Sequence, residues 1–167
     1  SRKRGEKVFE WFAQKWAVND PLPQKVDLVA VISYAATKTR LTNGSHTVLK
    51  LAKEISGRHP EALVVWGWFS KNPDRFVEKE IKTSVFGGIC VGPVSSSTDE
   101  CGVILKAAIA TEKLIQNVVV IAEGAHSRRC KRVWKHIFWN SEICFRSIPA
   151  WEAADSENPM WFQRHWQ

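Results

Sequence analysis

Val26-Asp27-Leu28-Val29-Ala30-Val31-Ile32-Ser33 is a nearly unbroken apolar run whose only charge is Asp27. Its length and β-branched content are those of a strand covered on both faces, because a strand with one wet face would alternate apolar and polar residues. Similar runs recur at residues 62–68, 88–92, 118–122 and, less purely, 143–148. Helical spacing marks residues 45–55, 74–86, 98–115 and 127–139 between them, the first segment closed by Gly57 and Pro60. Strand and helix therefore alternate, with strand starts about 25 to 35 residues apart, near the ~30 of a βαβ unit. Right-handed crossovers then put helices on both faces of the sheet. The expectation is a three-layer α/β domain over residues 25–150, with a mostly parallel five-stranded sheet.

Outside that core, residues 1–24 read as a covering helix and linker. Val8, Phe9, Trp11, Phe12 and Trp16 fall mostly on one helical stripe, and Pro21 and Pro23 end it. Residues 151–167 read as a Trp-rich tail, with Trp151, Trp161 and Trp166 set among polar residues. Such a tail is expected to lie over apolar surface or to meet a protein partner.

At 167 residues, 44% hydrophobic and 25% charged, the chain has the composition of one globular domain and excludes a disordered, collagen-like or membrane-embedded protein. No run approaches the ~18 apolar residues of a membrane span. A start at Ser1 leaves room for a targeting segment or anchor upstream. The formal charge of +7 favours phosphates, nucleic acid or acidic small molecules as partners. The four cysteines, Cys90, Cys101, Cys130 and Cys144, have neither zinc nor disulfide-framework spacing. They read as buried free thiols of a reducing interior such as the cytoplasm. Nine tryptophans against one tyrosine read as packing.

In a parallel sheet, the loops leaving the carboxyl ends of the strands converge on one crevice, where helix amino termini offer N–H groups. After the run 118–122 comes Glu123-Gly124-Ala125-His126-Ser127-Arg128-Arg129, with a basic helix expected to start near Ser127. His126 then stands at the helix mouth, and Arg129, three residues on, faces the same side and can fork onto a carboxylate or phosphate. Cations at a positive helix end cost ~0.3–1 kcal/mol each, which favours an anionic partner, although a plain cap and a solvated basic face would also fit. After the run 88–92, Ser95-Ser96-Ser97-Thr98-Asp99-Glu100 enters the next helix. Ser97 with Glu100 matches a capping box, which is usually structural, while Ser95 and Ser96 are left to offer hydroxyls.

Several chemistries lack their motif. Neither GxxxxGK[ST] nor GxGxxG occurs, which removes the usual phosphate cradles of NTPases and dinucleotide oxidoreductases. The turns Ser33 to Thr37 and Trp66 to Ser70 are not glycine-rich, although Gly67 would allow close backbone approach. A Ser95, His126 and Glu100 triad lacks the Gly-x-Ser-x-Gly elbow. His46, His59, His136 and His165 are scattered without HExxH spacing and suggest no metal site. The basic cluster from Arg128 to Arg132 matches no nucleic-acid motif, so nucleic-acid binding is the weakest reading.

Read in order, these pieces resemble the bacterial YdcF/SanA/ElyC-like family, a domain-of-unknown-function family with a Rossmann-like core. Val26-Asp27-Leu28-Val29-Ala30-Val31-Ile32 is similar to its opening strand, and Val64-Val65-Trp66-Gly67 to its second strand. Ser95, Thr98 and Glu100 match its Ser-x-x-Thr-x-Glu-Asn turn, with Cys101 in place of Asn. His126 and Arg129 match its His-x-x-Arg-Ala signature, with Cys130 in place of Ala. The resemblance implies a Rossmann-like fold and a small polar or anionic ligand, S-adenosylmethionine being associated with one member and envelope roles with others.

The expected function is binding of a small anionic or nucleotide-like ligand, S-adenosylmethionine or a phosphorylated substrate, at the carboxyl edge of the sheet. His126 and Glu100 are the candidate catalytic residues. Ser95, Thr98, Arg129, Gly67 and Asp27 are the candidate ligand-binding residues. The alternative is an inactive interaction module of a larger assembly, using the Trp-rich ends.

Overall fold

A computed structural model describes residues 18–33, 41–67, 88–92, 94, 96–137 and 142–147. The expected helices at 6–17 and 74–86 and the tail at 151–167 lie outside these residues. Strands β1 (Leu28–Val31), β2 (Leu63–Trp66), β3 (Ile89–Cys90), β4 (Asn117–Ala122) and β5 (Glu142–Ser147) alternate with helices α1 (Asn43–Arg58), α2 (Ser97–Ala110) and α3 (Gly124–Ile137).

The protein is α/β with a parallel sheet. β1 pairs with β2 over Leu28 to Val31 and with β4 over the same four residues, and β4 pairs with β5 over six. The run 88–92 shortens to a two-residue strand, β3, on the outer edge of β2. The spatial order is β3-β2-β1-β4-β5. β1 is thus central and hydrogen-bonded on both sides, so every one of its residues is fully buried. That explains its lack of a polar alternation.

Alternate strand residues sort into two cores. Val29, Val31, Val64, Trp66, Val119 and Ile121 face α1, which contributes Val48, Leu49, Ala52 and Ile55. Leu28, Ala30, Val65, Val118, Val120 and Ala122 face α2 and α3, which contribute Cys101, Ile104 and Ala108, and Cys130 and Trp134. Spacings of three and four along each helix place those residues on one stripe. Trp134 is the largest fully buried side chain.

The helix ends differ from expectation for local reasons. α1 begins at Asn43 because Thr42 caps it, its hydroxyl accepting the Ser45 N–H. α2 stops at Ala110 rather than 115: Thr111 returns its hydroxyl to the Ala108 carbonyl at 2.7 Å, and Glu112 turns into the left-handed region at φ 62°. α3 starts at Gly124, three residues before Ser127. Upstream of β1, the chain is strapped to α3. The Val18 N–H donates to Ser127 Oγ at 2.8 Å, and Lys131 pairs with Asp20 at 2.5 Å. No helix among the described residues is long and apolar enough to cross a membrane.

Candidate functional site

The strand order reverses at β1, since the chain runs outward through β2 and β3 and then crosses to β4 on the other side. β1 and β4 therefore lead to helices on opposite faces of the sheet, α1 and α3, and in such sheets the carboxyl ends of two strands so related are the usual ligand position. Ser33 follows β1 there, Gly67 follows β2, and Glu123 follows β4.

Glu100 reaches this edge from the first turn of α2. The cap of that helix is Ser96, not Ser97: Ser96 Oγ accepts the Asp99 N–H at 3.2 Å and donates to Asp99 Oδ2 at 2.8 Å. Asp99 therefore plays the part expected of Glu100. Each step along a helix turns the side chain by about 100°, so Glu100, one residue on, is released from capping. It points inward and is only 4% exposed.

Two donors from one residue hold its carboxylate. The Ser33 N–H donates to Oε1 at 2.7 Å and Ser33 Oγ donates to Oε2 at 2.9 Å. Gly67 supplies the space, because a Cβ at that position would lie 1.5 Å from Glu100 Oε1. Burial pushes the Glu100 carboxyl up to about 7, and the two Ser33 bonds pull it back only in part. Glu100 therefore exchanges its proton near neutrality, as an acid or base must.

At the exit of β4, Glu123 takes the cap position of α3. Its Oε2 accepts the His126 N–H at 3.2 Å, and its carbonyl accepts the same group at 3.0 Å and the Ser127 N–H at 2.9 Å. His126 is consequently the third residue of the helix, inside its first turn rather than at its mouth. The half-buried imidazole is held below the usual histidine range by burial and by the Arg129 guanidinium, which favours its neutral form. Arg129 is exposed and lies in the second turn, where the macrodipole has faded and where a buried carboxylate already caps the helix. The cost expected for a cation at the helix end is accordingly absent.

Cys101 and Cys130 lie in the same apolar core beneath α2 and α3. The neighbouring Cys101 thiol, burial and the Glu100 charge push the Cys130 thiol up, and Arg129 pulls it back only in part. Both thiols are fully buried, whereas Cys90 is exposed.

The other expected residues are placed differently. Thr98 is exposed on the first turn of α2, and Ser95 lies outside the described residues. Asp27 is at the opposite edge: it precedes β1, six residues before Ser33, or about 20 Å at strand rise. Its Oδ2 accepts the N–H groups of Gln116 at 3.0 Å and Asn117 at 2.8 Å, so it ties β1 to the start of β4 and does not join Glu100 and His126. Burial pushes the Asp27 carboxyl up, but those N–H groups and Lys25 outweigh it and hold it below the usual range.

Ser33 and Glu123 were not singled out in the sequence. Their one signal is position, as each is a polar residue close behind a buried run. Among the described residues, no group of three or more His, Cys, Asp or Glu side chains is arranged to hold a metal ion. No family model matches the chain, and a search of curated proteins finds no match.

Proposed function

We propose that this is a three-layer, Rossmann-like domain with a five-stranded sheet, similar to the YdcF/SanA/ElyC-like proteins. In this proposal it binds a small ligand with an anionic group, nucleotide-like or phosphorylated, at the carboxyl edge between β1 and β4. The observation that carries the proposal is Glu100: a carboxyl drawn into the interior at the strand exits, held by Ser33 and given room by Gly67. Among the described residues no cation pairs with Glu100, and a buried ionisable group so placed is a candidate for chemistry. Glu100 accepts a ligand hydroxyl or its proton, neutral His126 is the complementary acid or base, and exposed Arg129 forks onto the anion.

Thermal-shift screening of the full chain against inorganic phosphate, nucleotides, sugar phosphates and S-adenosylmethionine tests this. A ligand at a hundred times its dissociation constant stabilises by ~2.7 kcal/mol. Arg129→Ala and His126→Ala are expected to lose at least tenfold in affinity for the compound that shifts the wild type, with unfolding curves otherwise unchanged. Equal affinity in both variants would reject the site.

A further inference from the structure

We infer that β5 is a self-association edge, along which two copies of this chain pair β5 against β5 in antiparallel fashion and join their sheets into one. β5 is an outer strand: it is paired with β4 over all six of its residues, and among the described residues it pairs with no other strand. Alternate residues of an edge strand aim their N–H and C=O groups away from the sheet, where they template a further strand. Natural edges are blunted by brevity, by proline or lysine, or by a bulge. The opposite edge, β3, has only two residues. β5 has six, contains no proline, glycine or lysine, and keeps one unbroken register with β4.

The sequence of this strand fits a second copy of itself. Glu142-Ile143-Cys144-Phe145-Arg146 carries opposite charges at equal distances from Cys144, with an apolar residue on either side of it. A symmetric antiparallel pair within one sheet needs a two-fold axis perpendicular to that sheet. Such an axis keeps each residue on its own face, and faces alternate along a strand, so it passes through a residue and not between two. Centred on Cys144, it sets Glu142 opposite Arg146 of the partner subunit and Ile143 opposite Phe145 of the partner subunit. Each of these pairs forms twice. Opposite charges, and an aromatic residue against a β-branched one, are favourable cross-strand neighbours. An axis through Ile143 or Phe145 would lose both charge pairs, so the charges also fix the register.

The register with β4 places Ile143 and Phe145 on the sheet face of Val118 and Val120, and Cys144 and Arg146 on that of Val119 and Ile121. The two-fold axis preserves this sorting. Because the paired strands run in opposite directions, the carboxyl edges of the two copies face opposite ways, and each candidate site stays within one copy.

Sedimentation velocity of the full chain, from low micromolar to submillimolar concentration, tests the proposal, and the expected result is a monomer–dimer equilibrium. Glu142→Arg sets like charges opposite each other twice and should weaken the dimer about tenfold. Adding Arg146→Glu rebuilds both pairs with their signs exchanged and should bring the affinity back to within about threefold of the wild type. Hydrogen exchange of the wild type needs no variant: the amides of residues 142–147 should slow as the dimer fills. The proposal is overturned by a chain that stays monomeric throughout, by a dimer indifferent to both charge changes, or by a dimer whose 142–147 amides exchange at the monomer's rate.

Discussion

Ser33 grips Glu100 with both of its donors, the backbone N–H at 2.7 Å and the hydroxyl at 2.9 Å, so a single residue at the end of the central strand positions the buried carboxyl of another helix. The consequence is a pH-dependent stability of unusual sign. Glu100 binds its proton more tightly folded than unfolded, since its carboxyl is raised from 4.5 to about 7. Its contribution is fully present below pH 4.5 and is lost as pH rises through about 7, a difference of about 3 kcal/mol. His126, held low, contributes in the opposite direction below its ordinary value of 6.5. Urea unfolding of wild type and Glu100→Gln at pH 5 and pH 8 separates the two, with the variant gaining relative stability at pH 8.

Ser33→Ala removes the hydroxyl but keeps the N–H. One of the two bonds that stabilise the ionised carboxylate is lost, so the Glu100 carboxyl should titrate at a higher pH than in the wild type. Stability should fall by roughly 1–2 kcal/mol at pH 8. Carbon NMR of the labelled carboxyl reads the first effect and urea denaturation the second.

Gly67→Ala places a methyl on top of Glu100 Oε1. The helix-borne carboxyl must give way, and a cost of about 1–3 kcal/mol is expected, as for other overpacked sites. Combining it with Glu100→Ala should recover most of the loss. A double variant no more stable than Gly67→Ala alone would show that the crowding lies elsewhere.

Asp27→Ala should behave in the opposite way to changes at the carboxyl edge. It leaves the Gln116 and Asn117 N–H groups without their acceptor, at a cost of about 2–4 kcal/mol, while ligand affinity is unchanged. Because the Asp27 carboxyl is held low, its support is present above its unfolded value of 3.8 and is lost as pH falls through the folded one. Wild type should therefore lose stability in strong acid more steeply than the variant.

Capping of α2 offers a direct comparison. Ser96→Ala removes the acceptor of the Asp99 N–H and should cost about 1 kcal/mol. Ser97→Ala, one residue inside the helix, should change stability by less than half of that in thermal unfolding.

The parallel α/β architecture was legible because β1 is paired on both sides and must be apolar throughout, a property written directly in Val26 to Ser33. The helix starts were less legible. Ser96 and Ser97 are chemically identical, and only the fold decides which hydroxyl meets the free N–H, yet that one-residue choice turns Glu100 from a capping group into a buried one. Asp27 misled for a related reason. A carboxyl beside a strand looks the same in sequence at either end of the sheet, and its partners, Gln116 and Asn117, are 89 and 90 residues away.

The strap between Val18 and Ser127 spans 109 positions, and that between Asp20 and Lys131 spans 111. Such closures wait until β4 and α3 are assembled, because the loop entropy must be met before the contact exists. The leading segment should thus be the last part of the described chain to lock during refolding and the first to release. Deuterium at the Val18 amide would then exchange well ahead of the amides of the central strand.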